Sequence, residues 1–213
     1  MKNSAYLFAQ EVDRLIEELS SDDYLRHENR GKKLLEEILP ISRLALHLKQ
    51  PGLEIEVEAF ENDGEADGHI YITGFREDDF NAQVICDFTY AESLRRELFV
   101  SKGHAPSTGE IRRDKKSKEI VTNVATFDTD EYITHISQSL IKLFKKKHDK
   151  SYNENTVLII SFDDAVIYGH YNWCRLFDVI KRECNLSASK FKAIYLFNKA
   201  TNEIQIAHTR AHK

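Results

Sequence analysis

Three prolines, eight glycines and three cysteines are few for a chain of 213 residues, and each scarcity closes off an architecture. So little glycine and proline excludes a collagen-like or low-complexity chain. Cys86, Cys174 and Cys184 offer no C-x-x-C spacing. An odd, sparse set with apolar neighbours reads as reduced thiols, which argues for a cytoplasmic protein and against a disulfide framework or a zinc site. No run of 18 apolar residues occurs, so no transmembrane helix and no membrane partner are expected. The opening residues lead directly into an amphipathic stretch carrying Glu11 and Asp13, unlike a signal peptide. Walker, dinucleotide, H-E-x-x-H and G-x-S-x-G motifs are all missing. The nine histidines have no paired spacing for a transition metal. Positive charge is also in deficit: 30 Lys and Arg against 35 Asp and Glu give a net charge of -5, which taken alone argues against a nucleic-acid binder.

What is present is a globular composition, 41% hydrophobic and 31% charged, long enough for one core domain with a helical extension. Leu7, Phe8, Val12, Leu15, Ile16 and Leu19 recur at helical spacing and predict a helix over 4–20. A second helix is predicted over 32–47, kinked or broken near Ile38 by Pro40. Alternation predicts strands over 53–60 and 69–73, and a more apolar one over 82–90. A short helix over 91–100 and a long exposed loop over 101–118 follow. Then come a helix over 130–148 capped by Asp128 or Thr129, and a buried parallel strand over 157–162. A helix around Trp173 and a hairpin of 191–197 with 203–207 close the chain. The order predicts an α/β fold, a mixed central sheet flanked by helices, with 1–30 as a helical N-terminal extension and 31–213 as the α/β domain.

Polar residues inside apolar strands are the informative ones. Asp87 lies in the third strand on the face of Gln83 and Ile85. A carboxylate there must be paired, protonated or bound to a cation. Asp67 precedes the second strand, and if the strands are neighbours the two carboxylates could meet at one rim, as Mg²⁺ requires. The plainer readings are that Asp67 beside Gly68 is a turn residue and that Asp87 caps a strand end. Glu36 and Glu37 could point from the second helix toward that rim, or face solvent. The stripe Ile133, Ile136, Leu140, Leu143, Phe144 continues onto Lys147, which either snorkels outward or is held near the carboxylates. Charge is segregated. Ten acids against Arg76 fill Glu54 to Asp79, whereas Arg95 to Lys118 carries eight basic residues against three acids. Arg95, Arg96, Arg112, Arg113, Lys115 and Lys116 would form a phosphate-backbone footprint there, with a second basic run at Lys145 to His148.

The order helix, three strands, helix, strand resembles the core of the PD-(D/E)XK, or restriction-endonuclease-like, nuclease superfamily. The stretch Asp87-Phe88-Thr89-Tyr90-Ala91, followed by Leu94-Arg95-Arg96-Glu97-Leu98, Gly103 and Gly109-Glu110-Ile111-Arg112, is similar to a poorly characterised bacterial group with an E-x-T variant of its motif. The resemblance covers about residues 32 to 162. It implies Mg²⁺ or Mn²⁺ held by Asp67 and Asp87, with Glu36 (Glu37 being the lesser candidate) assisting. Thr89 stands where the superfamily has lysine, and Lys147 is the substitute. The implied activity is metal-dependent hydrolysis of phosphodiester bonds in DNA or RNA. The alternative is a nuclease-like fold that has lost its site and binds nucleic acid or protein; a homodimer or protein partner fits either.

Overall fold

A computed structural model describes residues 2–60, 66–105, 110–123 and 128–210. Nine strands and seven α-helices lie among them. A seven-stranded sheet is built from β1 (Lys2–Ser4), β2 (Leu53–Ala59), β3 (Gly68–Gly74), β4 (Asp78–Cys86), β7 (Thr156–Phe162), β8 (Ala193–Asn198) and β9 (Glu203–Thr209), in the order β1-β2-β3-β4-β7-β8-β9. The strands β2 to β4 form an antiparallel meander with β1 paired antiparallel to β2, β4, β7 and β8 run parallel, and β9 returns antiparallel. The sheet is therefore mixed and α/β in class. A separate two-stranded hairpin consists of β5 (Glu110–Arg113) and β6 (Ile120–Asn123).

Helices cover both faces. On one, α1 (Ala5–Glu17) and α4 (Leu39–Leu48) press Phe8, Val12, Ile41 and Leu44 onto Val57, Ile70, Ala82, Val84 and Ile159. On the other, α6 (Thr129–His148) and α7 (Gly169–Glu183) bring Ile133, Leu140, Phe144, Trp173 and Leu176 against Ile85, Leu158, Ile160 and Leu196. All seven residues of β7 are buried, because this parallel strand is covered on both faces. Alternate β2 residues are buried and Glu54 and Glu56 are exposed, as one covered face requires. The N-terminal segment is part of the first core: Phe8 and Val12 are fully buried, and β1 pairs with β2.

Local chemistry accounts for most boundaries. Ser20 accepts a hydrogen bond from Asp23 N and opens α2 (Ser21–Arg26). Asp128 accepts one from Glu131 N at 2.8 Å and opens α6, whose last turn places Lys145, Lys146, Lys147 and His148 at the negative end of the helix dipole. Pro40 does not break the second helix. The chain runs from α3 (Asn29–Lys33) through a π-helical turn (Leu34–Ile38) into α4, and Leu39 N–H donates to Leu34 O, five residues back. A proline lacks the N–H that Glu36 O would receive in a regular helix and its ring crowds that carbonyl, so a widened turn accommodates it.

Three differences from the expected elements bear on function. β4 begins at Asp78 and ends at Cys86, four residues earlier at each end than predicted, because Thr89 caps α5 (Tyr90–Lys102) by accepting from Glu92 N at 3.2 Å. Asp87 and Thr89 thus lie beyond the strand. The stretch expected to be a loop over 101–118 holds β5, whose Ile111 packs on Leu94 and Leu98 of α5. Residues 106–109 of that stretch lie outside the described residues.

Candidate functional site

A notch in the sheet sets the position of the candidate site. Pairing of β3 with β4 stops at Gly68 and Ala82, whereas β4 continues to Cys86 along β7. Gln83 to Cys86 consequently have a strand neighbour on one side only, and Asp67 turns into the vacated side. Its N–H donates to Ala82 O at 3.0 Å, and its Oδ2 accepts from Val84 N at 2.6 Å and from the Gln83 carboxamide. Gly68 makes this approach possible: a Cβ there would stand 2.8 Å from Glu58 O and 3.1 Å from the Ile41 side chain. Both side-chain bonds fall on Oδ2, and Oδ1 accepts none among the described residues.

Glu37, in the π-helical turn packed against β4, and Lys147, near the end of α6, act electrostatically on Asp67. Burial pushes the Asp67 carboxyl above the usual carboxylate range; the Val84 N–H opposes this, the Glu37 charge adds to it, and Lys147 and Lys33 counter it. Lys147 is half-buried, and desolvation lowers its ammonium pKa while Asp67 and Glu37 hold it up. Glu37 Oε2 is shielded from solvent and accepts no hydrogen bond; Lys33 Nζ stands 3.1 Å from it without hydrogen-bond alignment. The result is two carboxylates, each with an oxygen that takes no hydrogen bond among the described residues, balanced by two lysines.

Asp87 is elsewhere. It follows β4, with its N–H donating to Ser161 O at 2.7 Å, about 10 Å of strand beyond Val84. Asp67 is anchored at Val84, whereas Asp87 lies past the end of β4 and lines a separate cleft. Among the described residues, no group of three or more His, Cys, Asp or Glu is placed to hold a metal. Burial raises the Asp87 pKa, Glu92 raises it further, and Lys199 and His135 oppose.

Glu36 is committed to another contact. Its Oε1 lies 3.0 Å from His27 Nδ1, while Arg96 Nη1 lies 3.1 Å from His27 Nε2. Guanidinium only donates, so Nε2 is the acceptor and Nδ1–H donates to Glu36. The His27 ring stacks on Phe88 with centroids 3.8 Å apart, and Arg96 continues to Asp163 at 2.7 Å. This chain of contacts ties the turn bearing Glu36 and Glu37 to the ends of β4 and β7.

The expected phosphate footprint divides in two. Arg96 is occupied as described, Arg95 lies 3.8 Å from Glu92, and Arg113 binds Glu97 at 2.6 Å and Lys118 O at 2.9 Å. Arg112, Lys115 and Lys116 are exposed on the β5–β6 hairpin, whose tip is shaped by Asp114 accepting from Lys116 N and Ser117 N at 2.8 Å each. Cys86 has Lys199 Nζ 3.5 Å from its sulfur, and burial pushes its thiol pKa up, which disfavours thiolate chemistry.

Sequence reasoning underweighted Gln83 and Glu37. The signal for Gln83 was available: a carboxamide on the buried face of a central strand needs a partner. Glu37 depended on the π-turn, which shifts helical phase and is not legible from a 3.6-residue period. No helix among the described residues is long and apolar enough to cross a membrane. Comparison of the chain with known protein families, curated proteins and solved structures finds no match.

Proposed function

We propose that this protein is a divalent-metal-dependent nuclease that hydrolyses phosphodiester bonds in DNA or RNA. One observation carries the reading: Asp67 is held by Val84 N–H and the Gln83 carboxamide at an interrupted strand edge, within electrostatic reach of Glu37 and Lys147, and its Oδ1 takes no hydrogen bond among the described residues. Two carboxylates with open positions suit Mg²⁺ or Mn²⁺, which keep several waters and accept phosphate oxygens as further ligands. Strand order and direction through β2, β3, β4, β7 and β8, with helices on both faces, are compatible with a restriction-endonuclease-like core.

In this reading Asp67 and Glu37 would hold the cation, and Gln83 and Val84 fix the Asp67 carboxylate through Oδ2. The cation would polarise the scissile phosphate and lower the pKa of a coordinated water. Lys147, whose pKa burial lowers, would stabilise charge that develops on the phosphate. Arg112, Lys115 and Lys116 on the hairpin, and Lys145 and Lys146 on α6, supply contacts to the backbone phosphates. Glu36 is a positioning residue through His27, and Asp87 stands outside the metal site.

The competing reading, a nuclease-like fold that binds without cutting, is favoured by the lack of a third clustered acid among the described residues. One experiment separates the two. Purified protein with Mg²⁺ or Mn²⁺ is incubated with plasmid, single-stranded DNA and RNA, and the products are resolved on gels. The nuclease reading requires cleavage that EDTA and Asp67→Asn both abolish. Metal-independent binding without cleavage of any of the three would establish the competing one.

A further inference from the structure

A cleft of about 550 Å³ opens where the parallel strands β4 and β7 end, lined by residues that the metal site does not use. Crevices at the carboxyl ends of parallel strands are preferred ligand sites in open α/β sheets, and this volume falls in the small-ligand range. Three features of its lining define a ligand. Asp87 presents a half-buried carboxylate that takes no hydrogen bond or ion pair among the described residues, next to Glu92. A carboxylate only accepts, so the complementary group is an N–H or O–H donor. Phe99 lies on the wall with 60% of its surface exposed, in a helix whose neighbouring Leu94 and Leu98 are buried. A large apolar ring left in solvent at a cleft is a stacking platform for a planar group. The Tyr132 hydroxyl, donating to Asp164 at 2.5 Å, fixes another part of the wall.

We propose that this cleft recognises a single unpaired nucleotide whose base carries an exocyclic amine, with the base stacked on Phe99 and its amine donating to Asp87. Adenine, cytosine and guanine offer such an amine; thymine and uracil do not. A base paired in a duplex has its amine engaged and its face covered, so an unpaired nucleotide is required. The proposal rests on the nuclease reading only for where the nucleotide comes from. The same chemistry is presented by a free nucleotide and by one unit of a single strand.

The test uses the full chain in EDTA, so that no cutting intervenes, and follows fluorescence anisotropy of short labelled oligo-dC, oligo-dT and a duplex at neutral pH. Oligo-dC is expected to bind at least fivefold more tightly than oligo-dT, and the duplex more weakly than oligo-dC. Phe99→Ala, an exposed substitution that leaves the fold intact, should weaken oligo-dC binding by roughly 5- to 100-fold, the range of one lost stacking contact. The isosteric Asp87→Asn should erase the dC over dT preference, because an amide donates as well as accepts. Competition by CMP but not UMP would support the site with a free nucleotide as ligand. Base preference without CMP competition would support it with a strand as ligand. Equal binding of dC and dT by the native protein, or an unchanged affinity in Phe99→Ala, would overturn the proposal. Cleavage in Mg²⁺, measured separately, keeps the two readings apart: cutting without base preference refutes the cleft, and base preference without cutting refutes the nuclease.

Discussion

Replacing Asp67 by alanine or by asparagine separates its structural duty from its proposed catalytic one. Alanine leaves Val84 N–H and the Gln83 carboxamide without their acceptor, at residues 4% and 6% exposed. A buried polar group stranded in this way costs about 1–3 kcal/mol. Removal of a carboxylate whose charge is already disfavoured by burial offsets part of that, so a net loss of roughly 1–3 kcal/mol is expected, a fall in Tm of about 2–12 °C for a domain of this size. Asparagine keeps an acceptor oxygen for Val84 and removes the charge, so its Tm should match or exceed the native one. Adding Mg²⁺ inverts the order. With a dissociation constant of ~1 mM, 10 mM cation stabilises the native protein by about 1.4 kcal/mol, or about 3–6 °C, and Asp67→Asn by nothing. Thermal melts followed by circular dichroism, with and without Mg²⁺, read all of this. An alanine variant as stable as the native protein, or an asparagine variant that keeps the Mg²⁺ increment, would refute the reasoning.

Phe8→Ala should cost about 3–5 kcal/mol in urea unfolding, because the ring is wholly buried between α1 and the sheet; a loss under 1 kcal/mol would mean that α1 is dispensable to the core. His27 titrates below its ordinary value because burial disfavours its charged form, so stability is complete above about pH 6.5 and declines as pH falls. His27→Gln should flatten that decline, and an unchanged pH profile in the variant would count against the assignment. Asp87 has a folded pKa above its unfolded value, so the native state binds the extra proton and stability is lost as pH rises through the carboxylate range. Asp87→Asn should therefore raise Tm at neutral pH and not at pH 3; an equal rise at both would point to packing in place of charge. Glu37→Gln should lower Mn²⁺ affinity at least tenfold by calorimetry with little change in Tm, since Glu37 Oε2 supports no hydrogen bond in the fold.

The fold was largely legible because its signals are local. Period-two alternation in Leu53 to Ala59, the continuous apolar run Val157 to Phe162 and the helical stripe ending at Phe144 each impose one element and one buried face. Where tertiary context decides, sequence reasoning fell short. The apolar stretch Ala82 to Phe88 reads as strand throughout, yet Thr89 serves α5 as its cap and draws Asp87 out of the sheet. Pro40 signals a broken helix, but the chain absorbs it in a π-turn, from which Glu36 meets His27 and the Glu37 charge acts on Asp67. Asp67 with Lys147 was accessible from strand order and helical phase together. Gln83 was visible only as a polar residue on a buried face, and its partner depended on β3 ending at Gly68. The β5–β6 hairpin escaped because strands of four residues are too short to show an apolar period.

The account turns on whether the Asp67 and Glu37 pair runs metal-dependent chemistry. The most direct measurement is the rate of cleavage of plasmid, single-stranded DNA and RNA in Mg²⁺ and Mn²⁺ by the native protein, Asp67→Asn and, as a control at an exposed position away from the notch, Cys174→Ser. The account predicts cutting of at least one substrate by the native protein and by Cys174→Ser, abolished by EDTA and reduced at least a hundredfold in a folded Asp67→Asn. A native protein that cuts none of the three, or an Asp67→Asn variant that cuts at the native rate, would contradict it.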